Sequence, residues 1–266
     1  MLKQYLALGI MFFAFSQLSL SQSKPHQLLF GVLDILPMVN ITKNKVDEDK
    51  PGLIIELLWL LEKQINIKLE FQTCPTKRCF VMLGQGKIDG MPIASYSPDR
   101  AKHFGAYPML NGKVDTRRKI FDSSYVLYKL NSSSLNWNGD EFIGIDLSTD
   151  FRIGVNLGFS VAKFLEGRGI AVLENNSTLA NMDMLLAGRV AGVAVFKSLG
   201  HAILKRDKKY NSIVMLPKPL ISKPYYIILS HQFVKNNPKL ANSIWSTSAI
   251  IGSSDEYKNL MGKYLN

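Results

Sequence analysis

The chain has 266 residues, 47% of them hydrophobic and 20% charged, which is enough for a packed core in one large or two modest domains and sets aside the disordered, collagen-like and low-complexity classes. Two cysteines cannot make a disulfide-rich scaffold or a thiolate zinc site, and the four histidines form no paired metal motif, so no metal or other cofactor is expected. The net charge is +11 and the cations are scattered, with one cluster at Lys113, Arg117, Arg118 and Lys119 and another at Lys205, Arg206, Lys208 and Lys209. Neither is interleaved with aromatics, so the reading is a solvated basic surface with no nucleic-acid partner.

Along the chain, Lys3 precedes an apolar run from Tyr5 to Phe15, and Ser19-Leu20-Ser21 offers small residues at a cleavage site. That pattern predicts a signal peptide over residues 1–21, cut after Ser21 or after Ser23, because the run is too short and too interrupted to span a bilayer. Leu28 to Leu33 reads as a buried strand. Pro51-Gly52 leads into a helix over Leu53 to Gln64 that is apolar nearly all round. Ile67 to Phe71 alternates as a strand, Thr76 to Gln85 reads as a helix stopped at Gly86, and Ile88 to Ile93 as a strand. This is a β-α-β-α-β unit, the pattern of a parallel sheet. Cys74 and Cys79 fall within it, and in an oxidising compartment a bond between them is favoured over two free thiols.

The pattern then repeats. A strand over Arg152 to Val155, a helix over Ser160 to Glu166, a strand over Ala171 to Leu173, a helix over Leu179 to Ala187 and a strand over Val190 to Phe196 make a second unit. Leu83 to Gly90 and Leu185 to Gly192 match closely, each with a helix ending in Gly, then a cation, then a buried strand. Two strand-like segments, Phe121 to Leu130 and Pro224 to Ser230, bracket the second unit and predict a two-stranded hinge at Tyr125 to Tyr128 and Tyr225 to Leu229. Asn237-Pro238 opens a helix through Ile250, and Ser253 caps another ending near Leu265. The expected organisation is two similar α/β lobes: lobe 1 over 24–124 plus 228–266, and lobe 2 over 125–227.

With these residues in view, the chain resembles the family 3 extracellular solute-binding proteins, which have the type II periplasmic-binding fold. Gly86-Lys87-Ile88-Asp89-Gly90, followed by Ser95-Tyr96-Ser97-Pro98-Asp99-Arg100, is similar to the family's strand, Ser-rich turn and helix-start Arg. Gly154-Val155-Asn156-Leu157-Gly158-Phe159-Ser160 resembles its second-lobe strand and helix start. The resemblance implies a ligand site at the carboxyl ends of the strands. Arg100 is then expected to clamp a ligand carboxylate with Ser95 beside it, against the alternative of a surface cation. Gly158 and Ser160 face it, with Ser160 open between a ligand donor and a plain N-cap. Asp34 belongs to an acidic-then-Pro turn, while Met38 replaces an aromatic wall for which Tyr96 and Tyr107 are substitutes, and Phe196 closes the facing lobe.

One departure limits the ligand. Amino-acid-binding members carry an acid after the strand that ends at Phe196, whereas this chain reads Ala194-Val195-Phe196-Lys197-Ser198. The resemblance therefore implies a monomeric periplasmic receptor for a small carboxylate-bearing ligand, delivered to an inner-membrane ABC permease. A sensor for a signalling partner and a dehydratase-like enzyme are the alternatives. With no GxSxG elbow, metal cluster or carboxylate pair, catalysis is not expected.

Overall fold

The computed structural model describes residues 25–144 and 151–265. The expected signal peptide lies outside the described residues.

The first unit runs β1 (His26–Val32), α1 (Leu53–Ile65), β2 (Ile67–Thr73), α2 (Thr76–Gly84), β3 (Gly90–Ser95) and α3 (Pro98–His103). A long strand, β4 (Phe121–Leu130), leads to the second unit: β5 (Arg152–Asn156), α4 (Val161–Glu166), β6 (Ala171–Asn175), α5 (Thr178–Leu186), β7 (Gly192–Phe196) and α6 (Lys197–Arg206). The chain then passes through β8 (Ile213–Met215) to a second long strand, β9 (Ile221–Leu229), and closes with α7 (His231–Asn236), α8 (Pro238–Ser253) and α9 (Asp255–Leu265).

The two units are the same motif. In each, a central strand is flanked by two parallel partners: β1 lies between β2 and β3, and β5 between β6 and β7. The matched sequence segments also turn identically. Gly86 and Gly188 take φ of +66° and +67°. Lys87 N–H then bonds Met82 O at 2.9 Å and Arg189 N–H bonds Met184 O at 2.9 Å. Those are the long-range bonds of a Schellman cap, which needs a glycine in the left-handed region.

All of these strands join one nine-stranded sheet in the order β6-β5-β7-β4-β9-β3-β1-β2, with β8 also on β4. The joint is made by the two long strands. Phe121–Tyr125 of β4 pairs with Ile221–Tyr225 of β9. Beyond Tyr125, β4 pairs with β7, and beyond Tyr225, β9 pairs with β3. The protein is thus two similar α/β lobes joined by a two-strand hinge. The mutual pairing lies at 121–125 and 221–225, a few residues before the stretches expected from sequence, which sit inside the sheets of the two lobes.

Each lobe has its own core. α1 is apolar all round because it is covered twice, by the sheet on one side and by α8 and α9 on the other, and Leu53, Ile54, Ile55, Leu57, Leu58 and Leu61 are all buried. Trp245 of α8 donates its indole N–H to Ile227 O at 2.9 Å, which ties the returning C-terminal helices to lobe 1. The other face of that sheet packs Phe80, Leu83, Met91, Tyr107 and Ile228 around a Cys74–Cys79 disulfide. Lobe 2 closes over Leu127, Trp137, Ile153, Val155, Leu165 and Val193. No helix among the described residues is long and apolar enough to cross a membrane.

Candidate functional site

Where the carboxyl ends of the two parallel sheets face each other, one side chain spans the gap. Ser97 caps α3 by accepting from Arg100 N–H at 3.2 Å, and Pro98 fixes the first turn, so the helix starts immediately after β3. Arg100 is thereby aimed across the cleft. Its Nη1 donates to Ser95 O at 3.1 Å and Ser95 Oγ at 2.9 Å, and its Nη2 donates to Gly158 O of lobe 2 at 3.0 Å. The guanidinium also lies 4.7 Å from the centre of the Phe80 ring, within range of a cation–π contact.

Ser95 is the second bridge. Buried at the end of β3, it donates through Oγ to Ser160 Oγ at 3.3 Å, and its carbonyl accepts from Tyr107 Oη at 2.9 Å. Ser160 precedes α4 but makes no capping bond there, so its hydroxyl is directed to the cleft and not to the helix. Gly158 turns at φ +81°, and a Cβ there would meet Thr76 of α2 at 3.1 Å, so the lobes approach closely at this point.

Behind these polar groups is an aromatic cluster. Tyr125 stacks on Phe196 with centroids 4.4 Å apart, and Phe159 and Tyr225 pack against Phe196 at 5.2 and 5.4 Å. Burial raises the pKa of Tyr107, Tyr125 and Tyr225, with the Arg100 charge acting in the opposite sense, so all three hydroxyls are held protonated. The Tyr225 hydroxyl is buried without a partner at hydrogen-bonding geometry, although the Tyr125 and Ser160 hydroxyls act on it electrostatically. On the hinge strand, half-buried Lys223 has its pKa lowered by burial and by repulsion from Arg100.

Ser95, Arg100, Gly158, Ser160 and Phe196 of the expected set therefore meet, around a cavity of about 30 Å³. That is room for one or two waters. It continues past Leu33, Thr76 and Phe159 into a cavity of about 380 Å³, and Asp34 lines this second space. Asp34 accepts from Ile41 N–H at 3.2 Å, and partial burial raises its pKa. Tyr107 stands behind Ser95, and Tyr96 packs edge-on to Tyr107 at 5.3 Å. Met38 lies elsewhere, on a groove that shares no lining residue with the Arg100 cavity.

Sequence reasoning missed Phe80, Tyr125, Phe159 and Tyr225 as site residues, since aromatics on a helix face, in a strand or beside one read as core. Tyr125 and Tyr225 occupy the positions where the hinge strands change partners. No Asp or Glu lines the Arg100 cavity, and Lys197-Ser198 follows β7 where an ammonium partner would stand. Among the described residues no cluster of His, Cys, Asp or Glu is suited to hold a metal ion.

No protein-family model matches the chain, and no curated protein sequence matches it. Solved structures do. The ligand-binding core of GluR0 in complex with L-glutamate superposes with a TM-score of 0.70 at 13% identity, covering 92% of this chain and 100% of that one. A histidine kinase sensor domain with similarity to periplasmic binding proteins gives 0.69 at 15% identity, over 91% and 97%. The substrate-binding protein of an amino acid ABC transporter gives 0.67 at 19% identity, over 90% and 98%. With two repeated lobes, a two-strand hinge and superposition on these domains over 90–92% of its length, the chain has the type II periplasmic-binding-protein fold.

Proposed function

We propose that the protein is an exported solute receptor that closes its lobes on a small carboxylate-bearing ligand, with Arg100 as the anion clamp. The observation that carries this reading is the Arg100 fork, which binds oxygen atoms of both lobes: Ser95 O and Oγ on one side, Gly158 O on the other. A carboxylate entering between the lobes would exchange with those oxygens and gain a two-pronged, charge-assisted pair. Lys223 adds positive potential from the hinge. Because no acid lines the Arg100 cavity itself, a free α-amino acid clamped there would have to reach Asp34 in the adjoining space to pair its ammonium, and would otherwise bury it unpaired at a cost of several kcal/mol.

Delivery to an inner-membrane transporter from the periplasm is the role proposed. Likeness to a sensor domain as well as to a transport protein supports a signalling partner as the second reading.

A thermal-shift screen of carboxylates against the common amino acids tests the ligand class. Simple carboxylates should raise Tm more, Arg100→Ala should remove most of the rise, and Arg100→Lys should restore only part because a point charge does not replace a fork. A largest shift from an ordinary amino acid, or a shift that survives Arg100→Ala, would overturn the proposal.

A further inference from the structure

The basic cluster at Lys205 and Arg206, which the Arg100 site leaves unused, lines a groove of about 810 Å³ beside the hinge. Its two walls differ in chemistry. On lobe 2, α6 places Lys197, His201 and Lys205 four residues apart on one face, with Arg206 adjoining and no acidic residue anywhere in the helix. On lobe 1, α9 presents Tyr257, Met261 and Tyr264 at helical spacing, continued by Met38 and Leu53. The floor is residues 121–124 of β4. Its single acid, Asp122, is already ion-paired with Lys119.

We infer that this groove is a second ligand site, for an amphipathic anion whose apolar body lies on α9 and whose acidic head meets the cations of α6. The size suits it, since small-molecule pockets fall at about 300–1,000 Å³. The charge does as well. Lys197, Lys205 and Arg206 line the groove with one acid, Asp122, which is paired with Lys119, while Arg206 also lies in the field of Asp34; the lining carries an excess of positive charge that favours an anion over a cation. A carboxylate and a phosphate head share this chemistry. The groove shares no lining residue with the Arg100 cleft, but Phe121 of its floor stacks on Tyr225 of the cleft at 5.6 Å and its two walls belong to different lobes, so its width follows lobe closure.

The test is fluorescence titration of the full chain with 8-anilinonaphthalene-1-sulfonate, followed by displacement with four compounds of equal chain length: decanoate, decyl phosphate, decanol and decyltrimethylammonium. The dye should bind saturably, and at least one of the two anions should displace it at a concentration tenfold or more below that of decanol, with the cation weakest; the better anion names the head group. The triple variant Lys197→Gln, Lys205→Gln, Arg206→Gln should weaken the dye at least tenfold. Ala202→Trp, which fills the groove from α6 and keeps every charge, should abolish binding and decides the matter if the triple variant loses its cooperative melt. Displacement by decanol as effective as by both anions, or dye affinity intact in Ala202→Trp, overturns the site.

Discussion

Lys77 and Glu174 are 97 residues apart in sequence and 2.8 Å apart in space, joining α2 of lobe 1 to β6 of lobe 2. Lys163 and Asp99 make a second such bridge at 3.3 Å. Each pair is exposed, worth roughly 0.2–1 kcal/mol and screened by salt, but each exists only while the lobes are together. Lys77→Glu should therefore shift the closed-to-open ratio about fivefold, equivalent to about 1 kcal/mol, and enlarge the radius of gyration in solution scattering at low salt. Adding Glu174→Lys should restore the parent radius. An unchanged radius in the single variant would mean that other contacts hold the lobes.

Gly200 of α6 sets two effects against each other. Alanine is the better helix former by about 1 kcal/mol. A Cβ at this position, however, would stand 2.3 Å from the Tyr128 ring, whose hydroxyl donates to Lys197 O at 3.1 Å. Overpacking of a fixed aromatic costs about 1–3 kcal/mol, so packing should win and Gly200→Ala should lower stability by about 1 kcal/mol. Urea unfolding decides it, and a more stable variant would show that α6 moves away from β4 without cost.

The Cys74–Cys79 bond closes a loop of only five residues' separation, so it restrains the unfolded chain modestly, by about 2 kcal/mol. Cys79 is fully buried, so reduction should be slow in the native protein and fast in urea. The Cys74→Ser, Cys79→Ser variant should unfold at a lower urea midpoint with the slope unaltered. An unchanged midpoint would mean that packing around α2 alone sets its position.

Asp115 gives a pH prediction. Its carboxylate, buried before β4, accepts two bonds from Arg117 at 2.9 Å and faces Arg118 at 3.6 Å. The Arg117 hydrogen bond holds its pKa below the ordinary carboxylate value. A depressed folded-state pKa contributes stability above the unfolded value and loses it as pH falls through the folded value. Asp115→Asn should therefore melt lower than the parent at pH 7, and the two Tm curves should converge in the acid range below the ordinary carboxylate pKa. A constant gap down to pH 2.5 would assign the loss to shape instead of charge.

The lobes were legible because periodicity and glycine caps act locally: the turns at Gly86 and Gly188 need nothing from the rest of the chain. α6, β8 and α7 were not, and their physics explains why. α6 buries only Leu199, Gly200 and Ile203 and starts at Phe196 without a side-chain cap, so its apolar stripe is too narrow to register. β3 begins at Gly90, two residues later than its hydrophobic run, because Asp89 turns inward to accept Leu29 N–H at 2.8 Å. At the cleft, Arg100 and Ser95 were readable from residue order around a strand end. Tyr125 and Tyr225 were not, since which face of a strand meets the opposite lobe depends on where the ladder changes partner.

That change of partner also orders the assembly of the chain. Gly90 and Met91 of β3 pair with Leu229 and Ile228 of β9, so one edge of the first lobe's sheet is completed by residues made after the whole second lobe. The second lobe meets no such delay: β5, β6 and β7 pair with each other and with β4, all within one continuous stretch. Local pairings close sooner than distant ones. The inserted lobe is therefore the natural first folding unit, and during synthesis β3 presents an unpaired edge until the polypeptide has come back through the hinge.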